Sequence, residues 1–257
     1  MKILLFDIEN APSKAYIWQS KTYFVPNDMI FEEWYMLCWS AKWLDSDEIM
    51  TSALCYGKDY KKDLTNDYEV ARDLWNLFDE ADVIIAHNAV NFDVKKANAR
   101  FIYHGMTPPS PYKVVDTLQI ARRTFKFTSN KLDYVGRRLG IGKKKENAGM
   151  VLWERCMGGD IKAWKEMIEY CEQDVILLEG IYKKFLPYIK NHPNMSIDNR
   201  EEPTCPKCGS KNLMSRGREI RLTGFVRRFS CKDCGGWGQV SDETFKKWEK
   251  KNIIRNA

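Results

Sequence analysis

The apolar positions change period along the chain, and the changes mark out its elements. Residues 2–8 are a near-continuous apolar run, as expected of a central strand buried on both faces. Residues 34–44 (WYMLCWSAKWL) and 49–57 (IMTSALCYG) predict two more strands, joined by the acidic turn Asp45-Ser46-Asp47 into an antiparallel hairpin. From residue 67 the period lengthens. Val70, Leu74, Trp75 and Phe78 line one side of a predicted amphipathic helix over 67–81. A short strand follows at 82–88, then a helix over 94–105 closed by Gly105. Residues 112–125 read as a strand running into a helix capped near Asp116 or Thr117, and 131–142 as a short helix ended by glycines. A long helix over 160–189 closes the region, and the polar stretch 191–204 around Pro193 reads as a linker. Strands first and strand–helix alternation afterwards predict a mixed α/β sheet with helices on its faces. The expected domains are 1–190, the linker 191–204, and a small unit over 205–257.

Composition sharpens this picture in two places. An apolar fraction of 44% with 13% aromatic residues suits a packed globular protein of this length. The net charge of +6 is unevenly spread: thirteen basic and five acidic residues follow Thr204, so the preceding region is slightly acidic. No stretch approaches the roughly 18 apolar residues of a membrane span, and Met1-Lys2 leads directly into a strand broken by Asp7. The expectation is a cytoplasmic protein without membrane partners, whose eight cysteines are metal ligands or core residues rather than disulfides.

The candidate chemistry begins in FDIEN. Asp7 and Glu9 are two residues apart on a strand and so share a face, an awkward pair unless water or a cation neutralises it. HNAVNFD places Asn88, Phe92 and Asp93 just after a predicted strand, where α/β sheets hold their sites. YCEQD sets Tyr170 and Asp174 four apart on one face of the long helix. Singly, each has a plain reading: a surface pair for Tyr170 and Asp174, a core aromatic before a helix cap for Phe92 and Asp93, and turn asparagines for Asn10 and Asn88. Lys143-Lys144-Lys145, with Arg122, Arg123 and Lys126, reads either as the wall of a substrate groove or as a solvated run, and no role is assigned to it.

Taken in order, Asp7-x-Glu9, Asn88-x-x-x-Phe92-Asp93 and Tyr170-x-x-x-Asp174 resemble the three exonuclease motifs of the DEDD (DnaQ-like) family. Its members have a ribonuclease H-like fold and remove nucleotides from 3′ ends. The tyrosine subclass is the better match, because Glu169 stands where the histidine subclass has its histidine, and His87, His104 and His192 lie elsewhere. The overall look is similar to exonucleases predicted from bacteriophage genomes.

The resemblance implies a two-metal phosphodiester hydrolase using magnesium or manganese. Asp7 would bridge both cations, Glu9 and Asp174 would complete the first, and Asp93 would hold the second largely through water. Tyr170 would orient the attacking water, Asn10 would meet the terminal 3′-hydroxyl, and Asn88 and Phe92 would position the end nucleotide. The implied substrate is the 3′ end of single-stranded or frayed DNA. RNA is the first alternative, and a non-catalytic nucleic-acid-binding protein the second. A polymerase, or a replication or recombination partner acting in trans, belongs to the same implication.

The tail carries a separate chemistry. Cys205-x-x-Cys208 and Cys231-x-x-Cys234 are paired knuckles, and four thiolates suit one tetrahedral structural zinc. Gly209 and Gly235, each following a second cysteine, let backbone amides turn toward the sulfurs. A zinc ribbon is therefore expected. Arg216, Arg218, Arg221, Arg227 and Arg228, alternating with Ile220, Leu222, Phe225 and Phe229, predict a hairpin with its bases on one side. Such a surface suits phosphate contacts with some base stacking; a merely solvated ribbon, or a protein-docking one, is the alternative. Cys38, Cys55, Cys156 and Cys171 are isolated and read as core or boundary residues.

Overall fold

The computed structural model describes residues 1–197 and 202–255, with side chains up to residue 248. Residues 198–201 of the expected linker lie outside the described residues. The chain divides into two compact units, Met1–Ile181 and Tyr182–Ala257.

The first unit is built on a five-stranded mixed sheet. Its elements are β1 (Ile3–Asn10), β2 (Lys14–Ala15), β3 (Ile30–Glu32), β4 (Met36–Trp43), β5 (Met50–Ala53), α1 (Tyr68–Glu80), β6 (Val83–Ala86), α2 (Asp93–Tyr103), β7 (Lys113–Asp116), α3 (Thr117–Thr124), α4 (Leu132–Arg138), α5 (Met150–Met157) and, up to Ile181, α6 (Ile161–Phe185). The strand order is β5-β4-β1-β6-β7, and β2 and β3 form a separate two-stranded sheet. β1 runs antiparallel to β4 and parallel to β6, so it is central and bonded on both edges. That placement explains its apolar run: Leu4, Leu5 and Phe6 are fully buried.

The strand alternation sends β1's side chains to two helical layers. Phe6 meets Phe78 of α1 edge to face at 5.0 Å, and Phe78 in turn meets Phe101 of α2 at 5.6 Å. Asp7 points the other way, to α6, where the Cys171 thiol donates to its main-chain carbonyl at 3.5 Å. A buried aspartate ties the first layer together. Asp67 accepts from Met36 N at 2.7 Å, from Arg100 at 2.5 Å, and lies 2.6 Å from His104 Nε2.

The observed elements depart from the expected ones in a few places. The strand predicted over 49–57 ends at Ala53 and turns into a short 3-10 segment, Leu54–Tyr56. The long helix ends at Phe185 because Pro187 has no N–H to continue the ladder, and a 3-10 turn, Leu186–Tyr188, follows. α5 was not anticipated: Val151, Leu152 and Trp153 are consecutive and apolar, so its period is weak, although Leu152 and Cys156 are buried one turn apart. Cys38, Cys156 and Cys171 are buried and Cys55 half-buried, as core or boundary residues should be.

The second unit contains β8 (Leu213–Arg221), β9 (Gly224–Cys231), β10 (Trp237–Ser241) and α7 (Asp242–Arg255). The three strands form an antiparallel sheet in the order β10-β9-β8. The expectation of bases on one side fails here. Arg227 and Arg228 are adjacent in a strand and must face opposite ways, and a bulge between Ser215 and Arg218 shifts the facing of β8. Arg218 and Arg227 share a face and both bond Asp242, while Arg216 turns to Ser230 and Arg221 to Gln239. Among the described residues, no helix is long and apolar enough to cross a membrane.

Candidate active site

Three carboxylates converge from two elements. Asp7 and Glu9 leave the same face of β1, and Asp174 faces them from α6. One oxygen of each lies within 4.8 Å of the others. Asp174 is almost wholly buried and its Oδ1 has no hydrogen-bond partner. Tyr170, one turn earlier on α6, lies beside it, with its ring edge-to-face with Trp153 at 6.1 Å.

Asp93 belongs to the neighbourhood but stands outside that tight group. The bland expectation for its dipeptide is inverted: Phe92 is 39% exposed and Asp93 only 3%. Phe92 occupies the cap position of α2 without a side-chain cap bond, and Asp93 is the first helical residue, turned inward. The loop that delivers it is held by a residue the sequence marked only as a helix cap. Asp116 accepts from Leu118 N and Gln119 N at the start of α3, and also from Asn88 N and Val90 N, each at 3.0–3.1 Å. Asn88 sits at φ 82°, a left-handed conformation asparagine tolerates, and Phe92 N donates to its carbonyl at 2.9 Å. Backbone need thus accounts for an asparagine at position 88. Asn10, the last residue of β1, has both Oδ1 and Nδ2 buried and unpaired.

The lysine run separates into three fates. Lys143 pairs with Glu146 and Lys145 with Glu169, both at the surface. Lys144 turns inward, donating to Tyr170 Oη at 2.9 Å and ion-pairing with Asp174. Neighbouring lysines point in different directions, so charge density along the sequence carried no sign of this insertion. Beside Lys144 opens a cleft of about 590 Å³, flanked by Asn88, Arg122, Asn130 and Lys131.

The electrostatics follow from crowding acids out of water. Burial holds Asp7 well above the ordinary carboxylate range, and Glu9, Asp93 and Asp174 add repulsion that Lys144 only partly relieves. Burial pushes Glu9 up to about 8 against the pull of Lys144. Burial likewise lifts Asp93 to about 7. Asp174 is raised by burial, with Lys144 opposing. Burial and the Asp174 charge push the Tyr170 phenol up to about 12. For Lys144 burial works downward, but Asp174 and Asp7 outweigh it and hold the ammonium charged. Such a cluster takes up protons unless a cation of higher charge replaces them. An oxygen-only donor set of this kind fits magnesium or manganese.

The second unit gathers a different donor set. The Sγ atoms of Cys205, Cys208, Cys231 and Cys234 lie within 4.8 Å of one another, with 3.6 Å between Cys205 and Cys234 and between Cys208 and Cys231. Zinc–sulfur bonds of about 2.3 Å in a tetrahedron put sulfurs about 3.8 Å apart, so the cluster is compatible with a zinc ribbon. Gly209 and Gly235 adopt φ 73° and 74°, and their amides donate to the carbonyls of Cys205 and Cys231, closing each knuckle.

A mixed five-stranded sheet with its central strand bonded antiparallel to one neighbour and parallel to the other, flanked by helices, is a ribonuclease H-like architecture. The chain belongs to the RNase_H superfamily, whose sequence profile matches residues 40–186. The matched span includes Asn88, Phe92, Asp93, Tyr170 and Asp174 and begins after β1, so Asp7, Glu9 and Asn10 precede it. Among solved structures, the fold is similar to the family B DNA polymerase from the hyperthermophilic archaeon Pyrobaculum calidifontis, with a TM-score of 0.57 and 18% identity. That similarity covers 73% of this chain and 25% of the polymerase, so the chain spans a minor part of that protein's length. No curated protein matches the sequence.

Proposed function

We propose that this protein is a metal-dependent 3′→5′ exonuclease of the tyrosine DEDD type, acting on the 3′ ends of single-stranded or frayed DNA. The observation that carries the reading is the convergence of Asp7, Glu9 and Asp174 from β1 and α6, with buried Asp93 and half-buried Tyr170 and Lys144 around them. Phosphodiester hydrolysis gathers negative charge on phosphoryl oxygens, and a buried acidic cluster serves it only through bound cations.

Asp7, Glu9 and Asp174 would hold one divalent cation and Asp93 would help to hold a second. Cations bound there would lower the pKa of a water and stabilise the departing 3′-oxygen. The chain's own residues supply the rest. Tyr170, with its phenol pushed up to about 12, stays protonated at neutral pH and orients by hydrogen bonding rather than acting as a base. Lys144 keeps its charge and presents it beside the carboxylates, where a phosphoryl group would approach. The exposed ring of Phe92 is available to the terminal base, and Asn10 has an amide free for a sugar hydroxyl. We assign the cysteine cluster to one structural zinc and the arginines around it to contact with the substrate's phosphates. DNA is preferred over RNA because the similar polymerase acts on DNA.

The test uses 5′-labelled single-stranded DNA and RNA, each with magnesium or with chelator. A ladder shortening from the 3′ end of DNA, lost with chelator, is the expected result. Shortening of RNA alone would make it an exoribonuclease. Binding without cleavage of either would make it a non-catalytic binder, and an internal cut pattern would contradict the polarity.

A further inference from the structure

Between β1 and β4 the chain makes an excursion that neither the strand nor the helix pattern anticipates. It leaves at Asn10 and returns at Tyr35, closed at its root by Ala11 N donating to Tyr35 O at 2.9 Å. Its spine is the short β2–β3 pairing of Lys14 with Glu32 and Ala15 with Ile30, extended by Tyr16 N donating to Met29 O at 3.0 Å. The rings of Tyr16 and Phe31 pack at 4.7 Å along that spine. Beyond it the arm turns its large side chains outward. Trp18 is 92% exposed, Phe24 74%, and Tyr23 completely, while Tyr16 and Phe31 are exposed on their outer sides. Scattered apolar residues on a surface need no explanation, but five exposed rings on one arm between positions 16 and 31 do.

We propose that this arm is a stacking platform for a single nucleic-acid strand, holding the nucleotides upstream of the 3′ end in the acidic site. The inference rests on the exonuclease reading for the position of that end. Three observations support the occupant. First, the arm returns beside the site. Trp34, at the return of the arm, has the Lys96 ammonium 3.5 Å from its ring centroid, and the same ammonium lies 5.9 Å from the ring of Phe92, the neighbour of Asp93. Second, Asn10, at the arm's root, has both polar atoms of its side-chain amide buried without a hydrogen-bond partner, and a polar ligand bound where site and arm meet would satisfy them. Third, the patch is aromatic rather than aliphatic, and every base offers a π-face to such rings whatever the sequence.

Its charge also distinguishes it. Lys14 and Lys21 are set against Asp28, Glu32 and Glu33, so the arm has no excess of bases with which to hold phosphates. Binding here is by stacking, and its contribution is independent of salt, unlike that of a basic surface.

The experiment compares the full chain with the Trp18→Ala/Tyr23→Ala/Phe24→Ala variant. All three side chains are solvent-exposed, so the fold is unaffected, as an unchanged thermal midpoint will verify. Affinity for a labelled oligothymidylate of about twelve nucleotides is measured by anisotropy in chelator, at about 50 and about 300 mM salt, and dinucleotide hydrolysis is measured with magnesium. The variant is expected to bind the oligonucleotide about tenfold or more weakly, by the same factor at both salt concentrations, with dinucleotide turnover unchanged. Unchanged affinity overturns the proposal. So does a variant that alters only self-association in light scattering, since the patch is then a protein-docking surface. Because affinity is read in chelator, a chain that binds through the arm but cleaves nothing sinks the exonuclease reading and leaves the arm standing. A variant that hydrolyses the dinucleotide normally and also binds the oligonucleotide as tightly as the parent does the reverse.

Discussion

The acidic cluster of the first unit and the cysteine cluster of the second gather their donor atoms to the same separation, within 4.8 Å, by opposite routes. The four sulfurs come from two knuckles, each closed by local hydrogen bonds around a glycine with positive φ. The carboxylates come from β1 and α6, more than 160 positions apart, and meet only because β1 is central and α6 crosses its face. The two clusters also differ in what stands in for a cation. The acids have Lys144, charged and lodged against Asp174. The thiols have the charge of Lys207 nearby, but its ammonium bonds the Pro187 carbonyl, and the cluster is uneven: burial raises Cys234 to about 11, whereas for Cys231 burial is outweighed by backbone hydrogen bonds, which lower it. On the zinc assignment proposed above, a donor set assembled by local turns would take its structure from the metal, whereas one assembled by a packed fold has its structure first.

The largest test of that contrast is zinc removal. Cys231→Ser, or a strong chelator, should abolish the sheet of the second unit, since structural zinc supplies about 10 kcal/mol or more of folding free energy in small domains. Amide spectra should show that loss while the first unit keeps its own melting transition. A second unit that stayed folded would break the comparison.

Asp7→Asn tests the other side. Hydrolysis should fall by about three orders of magnitude or more, the scale of several kcal/mol of lost cation-borne stabilisation. The metal-free protein should melt no lower than the parent, because a repulsive charge has been removed from a scaffold that does not need it. A large drop in the melting point would mean that the acids are structural.

The next effect concerns pH. Glu9 rises from an ordinary 4.5 to about 8 on folding, and Asp93 from 3.8 to about 7. The folded state therefore binds more protons than the unfolded one across this window, and metal-free stability must fall as pH rises through it. The expected decline between about pH 4 and 8 is several kcal/mol, since each carboxyl titrates about three pH units higher in the folded chain. It should be followed by thermal melts, and saturating magnesium should flatten it. Stability rising with pH over that window would contradict the buried arrangement.

The smallest effect belongs to Lys144. Its ammonium and a divalent cation compete for Asp174, so Lys144→Met should tighten magnesium binding about three- to tenfold by calorimetry while lowering metal-free stability by about 1 kcal/mol. Weaker magnesium binding would show that the lysine supports the site rather than competing for it.

How much of this was legible differs by element. The central strand announced itself through consecutive buried positions, and the long helix through its period. The knuckles were visible because two cysteines, two spacers and a glycine define their own turn. Asp116 was legible as a helix cap, but its second pair of donors comes from the loop after β6, which nothing in its own segment shows. Lys144 could not be told from Lys143 or Lys145, since a side chain's direction in an irregular stretch depends on what packs above it. The arm was invisible because it follows neither period and packs little of its surface.

The sequence by itself determined the fold class, the central place of β1, and the same-face pairing of Asp7 with Glu9 and of Tyr170 with Asp174. Each is a consequence of a two-residue or 3.6-residue period, a purely local geometry. Only the tertiary structure decided that these pairs meet, that Phe92 faces outward and Asp93 inward, and that one lysine of three enters the acids. Those outcomes depend on the balance between burial and charge in a particular packed space, and no local period encodes that balance.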